Sequence, residues 1–447
     1  MKLPEPAPKL DSINQDDQIK LLSLQNREEV RNLIRKANDG YVYWDKFKYF
    51  EKPADLTNES AWILLKMVRL MQSKIIPMRN KDNKRFFYWL TDKMQKELHY
   101  IDKYSTGQIL VDDSAIISGE KDRYLISSLM EEAIASSQLE GAATTRMKAK
   151  MMLRTGRKPE STAEKMILNN YKTIREIKSL LNEPLSERLL LQIQDSLTVD
   201  TLENPKHVGR FRTQEDEDIC VVDERDGQVL HVPPPPDEIK NRLEELYKFA
   251  NETNENEFIH PIIKAIILHF WLAYIHPFCD GNGRTARALF YWYVLKSGYW
   301  VFEFLSVSRI ILKAPAQYAR AYLYSEIDDL DINYFIEFNL RTICLAIESL
   351  QIYLKRRQGE QKTIDKVILD YPRLNKRQQN VLRHATTHPN DVCTIKFIMN
   401  AYGTVYQTAR TDLLQLTKKG FLDKKKRGKE FIFIPAKDIN EKLNRKE

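Results

Sequence analysis

Apolar residues recur every three or four positions through most of this 447-residue chain, and that period predicts helices. It runs through Trp62–Met78, Phe86–Asp102, Arg123–Gln138, Thr162–Leu181, Leu185–Leu197, Pro236–Asn251, Pro261–Ile275 and Thr285–Gly298. Pro261, behind His260, has the fixed φ and missing N–H that suit a first helical residue. Gly298 follows the last periodic residues of another helix and reads as its stop. One stretch breaks the period. Asp218–Val222 and Val229–Val232 are short β-type runs around an Asp226-Gly227 turn, and Pro233–Pro236 end the second run. A two-stranded hairpin is not stable alone, so it must lean on the helices with its edges left free. The expectation is a mainly α fold carrying one β-hairpin.

Beyond a charged connector at 355–374, the pattern changes to three helical runs, Gln378–Thr387, Thr394–Tyr402 and Tyr406–Gly420. A hairpin-like Lys424–Pro435 follows, which reads as a winged helix-turn-helix. The chain divides on this basis into an N-terminal helical region (1–114), a helical core (115–354), the connector (355–374) and the winged helix (375–447). Charge supports the division. Residues 375–447 hold 16 Lys+Arg against 7 Asp+Glu, a balance of +9, while the whole chain is only +8. The basic run Lys424–Arg427 suits phosphate contacts, and the partner of this domain, DNA or a protein, stays open at this point, as does a homodimer.

Composition narrows the class. With 43% hydrophobic and 30% charged residues the chain is an ordinary globular one. No run of about 18 apolar residues is present to span a membrane. The opening MKLPEPAPKLDSINQDD lacks an apolar signal-peptide region. Cys220, Cys279, Cys344 and Cys393 show neither CxxC spacing nor a disulfide framework, so a reducing cytoplasm is the expected setting and no zinc site is expected. His260, His269 and His276 have no paired ligand pattern, and His269, inside a helix, is expected to be packed.

The densest chemistry lies in His276-Pro277-Phe278-Cys279-Asp280-Gly281-Asn282-Gly283-Arg284-Thr285-Ala286-Arg287. A residue before proline avoids the helical region, so His276 should end its helix and stand at a loop mouth, able to accept a proton from a hydroxyl. Phe278 is expected to anchor the loop in the core. Asp280 is a hard oxygen ligand suited to Mg2+. Gly281 and Gly283 let consecutive backbone N–H groups face an anion, and the positive end of the next helix adds to them. Arg284 and Arg287, three apart, share a helix face and can fork onto phosphate oxygens.

These residues match the motif His-Pro-Phe-x-Asp/Glu-Gly-Asn-Gly-Arg-x-x-Arg at every specified position, and the string resembles that of the Fic family. The resemblance implies a protein adenylyltransferase that moves AMP from ATP to Ser, Thr or Tyr hydroxyls of a target protein and releases pyrophosphate. His276 would be the base, Asp280 would hold Mg2+, Gly281, Asn282, Gly283 and Arg284 would cradle the α- and β-phosphates, and Arg287 would reach the γ-phosphate. Upstream, Ser136, Glu140 and Gly141 match the family's inhibitory helix signature Ser/Thr-x-x-x-Glu-Gly/Asn. Glu140 would pair with Arg287 in place of the γ-phosphate and could also assist removal of AMP. The hairpin at 218–232 would be the flap that docks the target, with Gly209–Arg212 and Pro233–Pro236 flanking it in family-like fashion. Tyr318 and Tyr322, on one helical face, are read as core residues that could also wall the adenine. The alternative is a DNA-binding regulator whose Fic-like part senses nucleotide.

Overall fold

The computed structural model describes residues 3–106, 118–216, 219–223, 226–252, 257–369, 374–387, 392–402, 404–427, 430–439 and 442. Two compact units divide the chain, Met1–Leu350 and Gln351–Glu447. Among the described residues no helix is long and apolar enough to cross a membrane.

The first unit is helical and is built around an apolar centre. Five of its helices frame the site: α1 (Ser118–Gln138), α2 (Glu187–Thr198), α3 (Pro261–Ile275), α4 (Asn282–Lys296) and α5 (Pro315–Ile327). In α3 the run Ile262–Ile275 is buried on every side but Ala273, as expected of a helix whose apolar residues leave no polar face. Its closest partner is α4, which also packs on α2 and α1. The ends of α3 are set by sequence. Pro261 fills the first position and the His260 ring accepts from the Ile262 N–H at 3.3 Å.

Two of the expected helices are shorter than the apolar period suggested. The helix over Trp62–Met78 ends at Met71, and Lys74–Arg79 is instead a strand paired antiparallel with Arg85–Tyr88. Ile75 and Ile76 are β-branched, and Pro77 cannot supply the N–H a helix interior needs. Asn80 Oδ1 accepts from the N–H groups of Asp82 and Lys84 to close the turn. The next helix therefore starts late, at Asp92, where Thr91 Oγ1 caps the Met94 N–H at 3.2 Å. A second hairpin thus accompanies the expected one, β1 (Val221–Val222) with β2 (Val229–His231). Asp218, Glu224 and Arg225 of that hairpin lie outside the described residues, as does the expected domain boundary near 114.

A buried ionic network locks the N-terminal helices to the centre. Lys66 Nζ lies 3.0 Å from Asp328 and 3.6 Å from Asp331, and Tyr41 OH donates to Asp331 at 2.7 Å. Arg69 donates to Asn38 and Tyr334, both at 3.0 Å, and stacks over the Tyr41 ring. Each of these charges is desolvated, so the network adds little net stability, while loss of one member would leave its partner buried and unpaired.

The helix Asn333–Leu369 begins in the first unit and carries most of the expected connector; residues 370–373 lie outside the described ones. In the second unit, helices Lys376–Thr387, Ile395–Tyr402 and Tyr406–Lys418 meet a three-stranded antiparallel sheet in the order Cys393–Thr394, Glu430–Pro435, Leu422–Arg427. Val381, Leu382, Ile398, Leu413, Leu416 and Phe433 fill its core. The element order is the one the winged-helix reading expects. Gly428 and Lys429, at the wing tip, lie outside the described residues.

Candidate active site

His276 ends α3 in the left-handed region (φ 50°, ψ 56°), a conformation costly for a residue with a Cβ and held here by Pro277 and the packing around it. Its N–H still donates to Leu272 O at 3.0 Å. The ring's Nδ1 lies 3.2 Å from Ala273 O, an acceptor, so Nδ1 carries the hydrogen and Nε2 presents a lone pair. Desolvation pushes the imidazole down to about 4, with a nearby Glu140 charge opposing and His231 and Arg212 assisting, so the ring is neutral at pH 7.

The following loop is shaped by its own residues. Phe278 is fully buried, and Asn282 closes the turn around it: Phe278 N–H donates to Asn282 Oδ1 at 2.9 Å and Asn282 Nδ2 returns to Phe278 O at 2.8 Å. The Asn282 side chain is therefore used inside the loop, and only its backbone N–H faces outward to an anion. Gly281 has φ 83°, and a Cβ there would fall 2.7 Å from Thr198 Cγ2. The first bond of α4 runs from Thr285 N–H to Gly281 O, so the N–H groups of Asn282, Gly283 and Arg284 have no acceptor inside the helix. That is an anion seat at a helix N-terminus.

Two buried guanidinium groups reinforce it. Arg284 is 1% exposed, donates to Leu197 O at 3.0 Å and lies 3.6 Å from Asp280, yet its Nε is buried without a partner. Arg287 donates to Ser136 Oγ at 2.9 Å, to Ser136 O at 2.8 Å and to Glu140 Oε1 at 3.0 Å. Burial works against the Arg287 charge, but Glu140 and its neighbours outweigh it and the net shift is upward. Gly141 (φ 82°) reverses the chain after α1, and Ala142 N–H reaches back to Ser137 O at 3.0 Å. That turn aims Glu140 over Gly283, where a Cβ would collide with the carboxylate. The orphan Arg284 Nε, the free N–H groups and a carboxylate parked on Arg287 all fit a site built for a polyphosphate. Asp280, 58% exposed at its side chain, takes the Gly281 N–H and the Arg284 contact on Oδ1, which leaves Oδ2 to face a divalent ion on that polyphosphate, so the residues fit Mg2+ as well.

The Fic/DOC family profile matches residues 184–294. Residues 184–294 are a Fic domain. The chain is 32% identical over 120 residues to "Protein adenylyltransferase Fic" of Nematostella vectensis, covering 25% of this chain and 26% of that protein. It is 38% identical over 69 residues to the protein of the same name in Drosophila grimshawi, covering 15% and 14%. The chain thus spans about a quarter, or less, of the length of these curated relatives. Among solved structures, a Fic family protein from Desulfovibrio desulfuricans G20 aligns with a TM-score of 0.48 at 18% identity, over 77% of this chain and 95% of that one. Fic-1 of C. elegans aligns at 0.49 and 19%, over 79% and 91%.

The Fic profile ends short of Ser136, Glu140 and Gly141 on the N-terminal side, so their place in the site rests on the geometry above. Several residues that support the Fic loop were not singled out by sequence. Arg212 N–H donates to Pro277 O at 2.9 Å, its Nε to His276 O at 2.7 Å, and its Nη2 to Pro234 O and Ile275 O. Gln194 bridges Asp280 O at 3.3 Å and Gly209 N–H at 2.7 Å. Glu132, one turn before Ser136, is buried and accepts from Ser308 N–H at 3.0 Å and from the Ser306 and Ser308 hydroxyls. Its pKa is raised by burial, opposed by those bonds and by the Arg287 charge. The "Gly209-Arg210-Phe211-Arg212" string was the one available signal for Arg212; nothing local marked Gln194 or Glu132.

The hairpin is pinned beside His276. His231, on β2, lies 2.8 Å from both Tyr274 O and Glu326, tying the strand to α3 and α5. Tyr318 OH lies 2.9 Å from His269 Nε2 and 3.2 Å from Tyr322 OH, and Tyr322 packs on Phe270 and Phe335. Tyr318 and Tyr322 are half-buried and pack against core aromatic residues, and His269 is the packed residue expected, pushed down to about 3 by burial and then by the Arg287 charge.

Proposed function

We propose that this chain is a self-inhibited protein adenylyltransferase, transferring AMP from ATP to Ser, Thr or Tyr hydroxyls of proteins. The observation that carries the reading is the pairing of a neutral His276, its Nε2 lone pair open, with an anion seat made by the α4 N-terminus and Arg284. The names of the curated relatives support the same chemistry. Nε2 takes the hydroxyl proton as the oxygen bonds to the α-phosphorus, the bond from that phosphorus to the bridging oxygen breaks, and pyrophosphate leaves. The helix N-terminus and Arg284 hold the phosphate oxygens. Asp280 would hold a Mg2+ ion, which when bound neutralises phosphate charge. Arg287 would take the γ-phosphate, but Glu140 occupies it in the resting chain, so nucleotide binds without the alignment that transfer needs. The free edges of the β1–β2 hairpin would receive a target segment as an added strand. With water in place of the hydroxyl, the same groups could remove AMP. Intact-mass spectrometry of target proteins incubated with the Glu140→Gly chain, ATP and Mg2+ tests the reading. A gain of one AMP that vanishes in Glu140→Gly/His276→Ala is expected; a gain of phosphate, or none, would overturn it.

A second activity is favoured by the C-terminal unit, where DNA would be the partner. Helix Tyr406–Lys418 exposes Gln407, Arg410 and Thr411 near its start, and its acidic residue Asp412 is buried against Arg377 and Asn375 at 2.8 Å. Lys424, Lys425 and Lys426 stand exposed on the adjoining wing strand. Binding to duplex DNA that weakens steeply with salt and is lost when Lys424–Arg427 become Ala is the expected result. Salt-insensitive binding would assign the unit to a protein partner.

A further inference from the structure

A second cluster of ligating side chains lies beside the catalytic loop, where no sequence spacing announced it. His207, Asp216 and Cys279 bring one ligand atom each to within 4.8 Å of the others. Cys279 occupies a position that the loop motif leaves unspecified, directly before Asp280. His207 closes the turn Pro205–His207, and Asp216 lies in the segment leading to the β1–β2 hairpin.

The hydrogen bonds around the cluster set the ring's polarity. Asn204 Oδ1 already accepts from Lys206 N–H at 3.1 Å, so its Nδ2 is the donor that faces His207 Nε2 at 3.2 Å. With that donor facing it, Nε2 carries a lone pair, and Oδ1 of Asp216, a carboxylate that Arg210 and the Cys279 thiol also approach, lies 3.2 Å away. A cation seated there would be bonded by both atoms. All three residues are half-buried, which leaves room for water as a further ligand.

We propose that His207 Nε2, Asp216 Oδ1 and the Cys279 sulfur form a binding site for a divalent ion of the zinc class. The donor set decides the class: imidazole nitrogen and sulfur are poor ligands for Mg2+ and good ones for Zn2+. Cysteine binds as thiolate, its proton passing to solvent, so thiolate and carboxylate together balance the ion's charge. Asp216 already has a competitor. Arg210 reaches Oδ1 at 2.6 Å and Oδ2 at 2.8 Å, while Thr213 N–H holds Oδ2 at 2.7 Å and its hydroxyl lies 3.1 Å from the same oxygen. The ion takes Oδ1 as Arg210 gives it up, which makes the site responsive to metal concentration. A bound ion staples the segment bearing Arg210 and Arg212 to the loop bearing Asp280.

Co2+ is the probe, added alone to the full-length chain under a thiol-free reductant. One equivalent should develop a near-ultraviolet sulfur-to-cobalt charge-transfer band with visible bands of four-coordinate cobalt, and Zn2+ should displace it. Cys279→Ser should lose the near-ultraviolet band and His207→Asn should weaken binding, each with an unchanged far-ultraviolet circular dichroism melt. Arg210→Gln should tighten binding. Cys220→Ser and Asp280→Ala should leave the band intact, the latter separating this site from any ion at Asp280. A band that survives Cys279→Ser, or its absence from both the unmodified and Arg210→Gln chains, overturns the proposal.

Discussion

Arg287 and Glu140, 147 positions apart in sequence, meet at 3.0 Å between Nη2 and Oε1 in the buried wall of the site. The guanidinium is also held by Ser136, so three of its contacts come from one turn at the end of α1. Ser136→Ala removes the Oγ acceptor but leaves the backbone and Glu140 contacts. Nucleotide transfer by this variant should fall between that of the unmodified chain and Glu140→Gly, measured as initial rate at saturating ATP. A rate equal to the unmodified chain's would show that Ser136 takes no part in restraining Arg287.

Gly283 has no side chain where the Glu140 carboxylate lies. In Gly283→Ala the added methyl must push the carboxylate, the mobile end of its side chain, aside, at the cost of loosening its ion pair with Arg287. In the Glu140→Gly background the same substitution should cost far less, so the two changes should couple strongly in a double-mutant cycle of unfolding free energies. Additive effects would mean that Glu140 leaves Gly283 at no cost.

Arg212 binds backbone carbonyls of Ile275, His276 and Pro234, and its pKa is lowered by burial. A lysine cannot reproduce that fork. Arg212→Lys in the Glu140→Gly background should lower kcat by roughly 10- to 100-fold through a misplaced His276, with nucleotide affinity little changed. Loss of nucleotide affinity with kcat preserved would contradict this positioning role.

Burial holds His269 and His276 neutral, at about 3 and about 4. In the unfolded chain both titrate near ~6.5, so below that pH the unfolded state takes up protons the folded state refuses. Their contribution is complete above about 6.5 and is lost as pH falls toward the folded values, each by about 2 kcal/mol between pH 7 and 5. Glu97, raised to about 7 by burial, works the opposite way and offsets part of the loss. Urea unfolding followed by tryptophan fluorescence reports the first unit alone, since Trp44, Trp62, Trp89, Trp271, Trp292 and Trp300 all lie there. His269→Gln should show a drop from pH 7 to 5 smaller by about 2 kcal/mol than the unmodified chain. An equal drop would place the titration elsewhere.

Much of this was legible in the chain. The helix Pro261–Ile275 was readable to its ends because a proline and a pre-proline histidine bound a continuous apolar run. The loop motif was readable because its residues are contiguous and act together. Apolar period failed at Ile75–Met78, where β-branched residues and Pro77 override it, since short strands and helices share the same apolar density. The supports of the site were not legible for a different reason. Gln194 and Glu132 act through backbone groups far away in sequence, and such partners leave no local pattern; Arg212 was marked only by the Gly209–Arg212 string, which says nothing of the distant carbonyls it binds. The same holds for His207 and Asp216, whose nearness to Cys279 exists only in the folded chain.

The central claim is that His276 drives AMP transfer at a site that Glu140 restrains. Incubation with ATP labelled on the α-phosphate, in parallel with ATP labelled on the γ-phosphate, tests it most directly across the unmodified, Glu140→Gly and Glu140→Gly/His276→Ala chains. The account predicts protein-bound α-label that is weak in the first, strong in the second and absent in the third, with no γ-label in any. Equal α-label in the first two chains, or label that persists without His276, would contradict it.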